Sequence, residues 1–125
     1  MTEDEIGKVL VDSAVRVHKA IGPGLLESAY EACLVHVLKQ HGLQVASQVE
    51  LPVSFEGVRI EAGYRIDLLV EGKVVVELKA VELLRLIHTA QLLSYLKLGG
   101  YKLGFLLNFN VPLMRNGIKR LVNQL

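Results

Sequence analysis

Residues 64–80 read YRIDLLVEGKVVVELKA, and the pairing of this stretch with itself decides the fold. Ile66, Leu68, Val70, Val74, Val76 and Leu78 are apolar at every even position, while Arg65, Asp67, Lys73, Glu77 and Lys79 occupy odd ones. Period-two alternation marks strands with one buried face. Directly opposed residues of an antiparallel pair point to the same face, so matching even with even requires an odd-length connection. A three-residue loop at 70–72 or at 71–73 satisfies this. A two-residue loop at Glu71-Gly72 would set the charged face against the apolar one. The register therefore predicts Asp67, Glu77 and Lys79 on one face, with Asp67 directly across from Glu77 for the 71–73 loop and diagonal to it for the other.

Working outward, residues 5–20 place Ile6, Val9, Leu10, Ala14 and Val17 at helical spacing, and Gly22-Pro23-Gly24 stops that helix. A second helix is predicted over residues 25–40, with Leu26, Tyr30, Leu34 and Val37 or Leu38 inward. Residues 43–55 and 58–70 read as strands around Glu56-Gly57, 73–80 as a third strand, 82–98 as a helix closed by Gly99-Gly100, and 101–109 as a last strand before a tail. The order α-α-β-β-β-α-β predicts an α/β fold, a mixed central sheet flanked by helices.

The 125 residues suit one domain, 1–125, because two separate cores would each be too small. A 51% hydrophobic, 22% charged composition excludes disordered and collagen-like classes. The single Cys33 forbids an internal disulfide or a four-cysteine cluster and points to a reduced compartment. No run approaches the roughly 20 apolar residues of a membrane span, and the acidic start MTEDEIGKVL has no signal pattern. The expectation is a cytoplasmic protein with no membrane association. Fourteen Lys/Arg and thirteen Asp/Glu give +1, yet every acid lies at or before Glu82. Residues 83–125 carry Arg85, Lys97, Lys102, Arg115, Lys119 and Arg120 and no acid. Either that third forms a positive surface for a polyanion, or the fold interleaves both halves and cancels the fields.

Two converging carboxylates repel unless one protonates or a cation sits between them. Hard oxygen ligands suit Mg²⁺ or Mn²⁺, and a lysine two residues along the same strand can assist a water or stabilise a phosphoryl group. The hairpin alone also allows a solvated strand face with a Glu77–Lys79 or Asp67–Lys79 salt bridge. A P-loop, a GxSxG elbow and an HExxH helix are all missing.

Gly24-Leu25-Leu26-Glu27-Ser28-Ala29-Tyr30 reads GxxExxY, and Ile66-Asp67, Glu77-Leu78-Lys79 and Gln91-Leu92-Leu93-Ser94-Tyr95 follow in order. Over roughly residues 5–121 the chain resembles a GxxExxY protein of the PD-(D/E)XK nuclease superfamily, although Ile66 stands where the superfamily's name has proline. The resemblance implies a restriction-endonuclease-like αβββαβ core with an extra N-terminal helix, and a metal-dependent nuclease. It implies that Asp67 and Glu77 ligate Mg²⁺ or Mn²⁺, with Glu27 completing the acidic cluster directly or through a water. Lys79 would assist the attacking water and Gln91 would position that water or the lysine.

Around this set, Tyr30 lies three residues from Glu27 and either orients its carboxylate or packs in the core. His88 and Tyr95 share a helical stripe with Gln91 and either edge the site or serve structure. His18, ahead of the Gly-Pro-Gly break, suits a helix C-terminus. The expected substrate is nucleic acid, DNA in particular, selected by structure, since few aromatics and no recognition helix are present to read bases. A homodimer joined through residues 103–107 or the helix at 83–98 would supply two sites for two strands. The alternative is a catalytically silent module of the same fold that binds nucleic acid or a protein partner.

Overall fold

The computed structural model describes residues 1–125. In chain order it comprises α1 (Glu3–Ile21), α2 (Glu27–Gln40), β1 (Val45–Glu50), β2 (Val53–Phe55), β3 (Val58–Ile60), β4 (Arg65–Val70), β5 (Val74–Lys79), α3 (Leu86–Gly99), β6 (Leu103–Asn108), a 3₁₀ turn (Met114–Gly117) and β7 (Ile118–Val122). Thr2 starts α1 with a capping box: its Oγ1 accepts from the Glu5 N–H at 3.2 Å, and its own N–H donates to Glu5 Oε1 at 2.9 Å. Gly22, at φ 69°, ends the helix.

The main sheet runs β1-β4-β5-β6-β7. Only β5 and β6 are parallel, joined by the crossover helix α3, and the other pairs are antiparallel. This is the mixed α/β architecture of a restriction-endonuclease-like core. The helices α1 and α2 cover one face, where Ile6, Leu10, Leu34, Leu38, Val76 and Phe105 pack together. The other face carries α3, whose Leu92 and Leu96 pack with Ile66, Val75 and Leu106. No helix is long and apolar enough to cross a membrane.

Of the two loops that the alternation allowed, the chain uses 71–73. Leu68 pairs with Val76 and Val70 with Val74, and the Lys73 N–H donates to the Val70 carbonyl at 3.0 Å. Glu71 accepts the Gln44 N–H on Oε2 at 2.7 Å while its own N–H donates to the Gln44 carbonyl at 2.8 Å, tying the turn to the start of β1.

Several expectations are corrected. The two long strands foreseen over 43–55 and 58–70 are each broken, and β2 and β3 pair only with one another as a separate hairpin. Pro52, which lacks an N–H, follows Leu51, whose N–H makes a last link to the Tyr64 carbonyl at 2.9 Å before the chain leaves the sheet. The supposed tail forms β7, entered through Gly117, where a Cβ would lie 2.0 Å from the Asn108 carbonyl oxygen. α3 begins at Leu86 rather than 82 because buried Asn108 holds the preceding loop. Its Oδ1 accepts the Val81 N–H at 3.1 Å and its Nδ2 donates to the Val81 carbonyl at 2.9 Å. Residues 103–107 cannot join two copies, because β6 is buried along its whole length between β5 and β7.

Candidate active site

The pairing of β4 with β5 stops at Leu68 and Val76, one residue short of Asp67 and Glu77. Beyond that point backbone N–H groups need other acceptors, since a buried unpaired donor is costly. The two carboxylates supply them. Glu77 Oε2 accepts the Asp67 N–H at 2.7 Å, and Asp67 Oδ2 accepts the Leu78 N–H at 2.9 Å. The acids are thereby fixed in orientation, each with its second oxygen outside these bonds.

Glu77 lies two residues beyond buried Val75 on the same face of β5 and so points toward α3, where only 7% of it is exposed. Burial is the largest influence on its carboxyl and the charge of Asp67 the next, and together they push it up to about 8 from 4.5. The Asp67 N–H and the Lys79 charge pull the other way. Lys79, two residues on along β5, is half-buried and makes no ion pair. The Glu77–Lys79 and Asp67–Lys79 salt bridges are therefore not formed. Tyr95 lies in the same neighbourhood, its hydroxyl pushed up by burial and then by the Glu77 charge. Gln91 Nε2 donates to that hydroxyl at 3.0 Å, so the helix presents Gln91 and Tyr95 as a joined pair. The ring of Tyr64 is tilted against that of Tyr95 at 6.0 Å.

On the α2 side, Asp67 borders a cavity of about 180 Å³ lined also by Glu27, Ser28, Glu31, Gln48 and Leu78. Glu27, the first residue of α2, is exposed, and its Oε2 accepts the Ala80 N–H at a long 3.4 Å. No three of the chain's His, Cys, Asp and Glu side chains gather as a ready-made metal site. The acidic cluster expected from the sequence is thus an Asp67–Glu77 pair, with Glu27 held across the cavity by the end of β5.

Of the two readings left open for Tyr30 and for His88 the structure takes the structural one, and it places His18 in the last turn of α1 as expected. The Tyr30 hydroxyl does not orient Glu27. It donates to the Gly22 carbonyl at 2.6 Å and accepts the Leu25 N–H at 3.1 Å, while its ring stacks on Phe109 at 4.5 Å. His88 is engaged through Nδ1 by the Arg85 N–H at 3.0 Å, closing the first turn of α3. His18 is buried, its Nε2 2.7 Å from the Val111 carbonyl. The sequence reading passed over Glu31 and Gln48. Glu31 follows Glu27 by four and so shares its helical face, a spacing that could have flagged it. Nothing in the sequence marks Gln48.

The basic third of the chain is divided. Arg120 pairs with Asp4 at 2.7 Å, and Arg115 borders a groove with His18 and Lys19 of α1. Arg85 and Lys119 border a different groove, beside the first turn of α3, to which no acid contributes.

A family model described as the PD-(D/E)XK nuclease superfamily matches residues 4–121. The chain belongs to that superfamily. No curated protein and no solved structure matches the chain. PD-(D/E)XK nucleases are metal-dependent and generally use divalent ions such as Mg²⁺ or Mn²⁺. The donor chemistry here fits such an ion: Glu77 Oε1 and Asp67 Oδ1 are hard oxygens outside the backbone bonds, in a pair short of positive charge. Mg²⁺ is commonly held by one or two carboxylates, with waters and substrate phosphate completing its shell.

Proposed function

We propose that this PD-(D/E)XK protein is a DNA nuclease of the GxxExxY type, selecting its substrate by shape rather than by base sequence. The observation that carries the reading is the pairing of buried Glu77 with half-buried Asp67 at the gap between β4 and β5, where burial and Asp67's charge hold Glu77 toward its neutral form. Asp67 and Glu77 would hold a Mg²⁺ or Mn²⁺ ion, which supplies Lewis-acid activation of water and of the scissile phosphate. To hold such an ion Glu77 would have to give up its proton. The Lys79 ammonium, on the Glu77 face of β5, stabilises negative charge developing on the phosphoryl oxygens. Tyr95 feels the charge of the same carboxylate, and Gln91, bonded to the Tyr95 hydroxyl, is the group that orients the attacking water. Glu27 reaches the centre from the α2 side through a water. Arg85 and Lys119 hold flanking phosphates, a role that supplies affinity without sequence information.

Cleavage of a panel of duplex, nicked, flapped and branched DNA with Mg²⁺ or Mn²⁺ tests the proposal. Activity is expected to fall by about a thousandfold or more in Asp67→Asn and Lys79→Met, whose losses fall on the chemical step. No cleavage of any substrate, together with no divalent-ion binding by calorimetry, refutes the nuclease reading and leaves a silent module of the same fold.

A further inference from the structure

We infer that Gln48 is a positioning residue of the metal site, holding the free oxygen of Asp67 from the neighbouring strand; this rests on the nuclease reading above. Three features converge on it. Gln48 has φ 53°, in the left-handed region that a side chain with a Cβ rarely adopts. The β1–β4 register runs through Ser47↔Leu68 and resumes at Val49↔Ile66, leaving out the pair that would join Gln48 to Asp67. The Gln48 amide instead lies between two acids, with Nε2 3.0 Å from Glu31 Oε1 and 3.5 Å from Asp67 Oδ1.

The consequence follows from what holds Asp67. Its Oδ2 is fixed by the Leu78 N–H on β5, which leaves the carboxylate plane to be set by whatever meets Oδ1. The two hydrogens of one amide nitrogen can serve two acceptors, and Gln48 Nε2 faces one acid with each. A neutral donor between Glu31 and Asp67 lessens their repulsion without contributing a competing positive charge. Strained backbone persists where surrounding structure over-determines it, and it concentrates at functional sites. The left-handed turn at Gln48 is what swings an exposed strand residue toward the cavity shared by Glu27, Glu31 and Asp67.

Gln48→Gly separates the amide from the backbone turn, because glycine adopts φ 53° freely and the variant keeps the corner. Ala46→Gly, at an exposed β1 position outside the cavity, controls for a looser strand. Mn²⁺ binding by calorimetry on the full chain is the readout, with thermal melting alongside. Gln48→Gly is expected to weaken Mn²⁺ binding by about tenfold at an unchanged or higher melting temperature, with kcat reduced and KM for DNA unaltered, while Ala46→Gly binds as wild type. Equal Mn²⁺ affinity in Gln48→Gly and wild type overturns the inference and leaves the nuclease reading standing, as does an equal loss in Ala46→Gly. No Mn²⁺ binding by the wild type overturns both.

Discussion

Stripped of divalent ions, the protein should lose stability as pH rises, and Glu77→Gln should abolish that loss. An unfolded Glu gives up its proton near 4.5, whereas the folded Glu77 keeps its own until about 8. Between those values the native state binds one proton more than the unfolded state, so the free energy of unfolding falls with pH. The contribution is fully present below 4.5 and is lost as pH rises through 8. A gap of about 3.5 pH units sets a ceiling of about 5 kcal/mol. Water entering the gap between β4 and β5 brings the expected loss nearer to about 2–3 kcal/mol. Glutamine carries no titrating proton, and its carbonyl can accept the Asp67 N–H that Glu77 Oε2 now accepts at 2.7 Å.

Urea unfolding followed by far-ultraviolet circular dichroism, in EDTA from pH 5 to 9, suits a chain with no tryptophan. The expected result is near-equal stability of the two proteins at pH 5 and a Gln variant ahead by about 2–3 kcal/mol at pH 9. A Gln variant no more stable than wild type at pH 9 would show that Glu77 ionises in the fold without penalty. The account of the site as a cation-deficient pair would then be wrong.

The same proton should appear on metal binding: between pH 4.5 and 8, each Mg²⁺ bound releases about one proton, so affinity rises about tenfold per pH unit and flattens above 8. Calorimetry in buffers of different ionisation enthalpy measures this, and proton-independent binding at pH 6 would contradict it. Tyr30→Phe removes the hydroxyl shared by Gly22 and Leu25 and is expected to cost about 1–2 kcal/mol in chemical denaturation with kcat unchanged. A kcat loss beyond that of a comparably destabilised variant would restore Tyr30 to the site. Arg85→Ala and Lys119→Ala should each reduce the slope of log affinity for DNA against log salt by about one, leaving metal binding unchanged. Fluorescence anisotropy with catalytically silent Asp67→Asn protein is the assay, and an unaltered slope would move the substrate off the α3 side.

What the sequence disclosed follows from how many constraints bore on each segment. α1 carried helical spacing and a Gly-Pro-Gly stop, and the hairpin carried a burial pattern that only an odd loop could satisfy, so both were legible. The same parity rule failed at Asp67. Leu68 and Val70 pack under α1 and α2, but Ile66, two residues earlier, packs under α3. The strand turns over at the acid, and β1 does likewise, with Val45 against one core and Val49 against the other. Alternation cannot reveal a reversal, because apolar residues stay at even positions on either side of it. The separation of β2 and β3 from the main sheet, and the existence of β7, were hidden for a different reason: short, exposed strands bury too little to impose a pattern. The start of α3 depended on Asn108, a long-range contact that no local window contains.

The reversal at Asp67 also explains why the site lies where it does. A continuous ladder between β4 and β5 would pair Asp67 and Glu77 through their backbones and leave their side chains to solvent or salt bridges. Opening the ladder creates backbone donors that need acceptors, and drawing two carboxylates inward to satisfy them places like charges together with too little water. Each part of that arrangement is unfavourable alone: the lost strand pairing, the buried acid, the left-handed turn at Gln48. They become mutually consistent once a divalent cation is included, because the cation offsets the repulsion that burial intensifies and draws on oxygens the backbone leaves free. On the proposed reading the local conflicts at residues 48, 67 and 77 would share one remedy, and the surrounding sheet, with β5 paired to buried β6 along its whole length, would hold them in place for the ion.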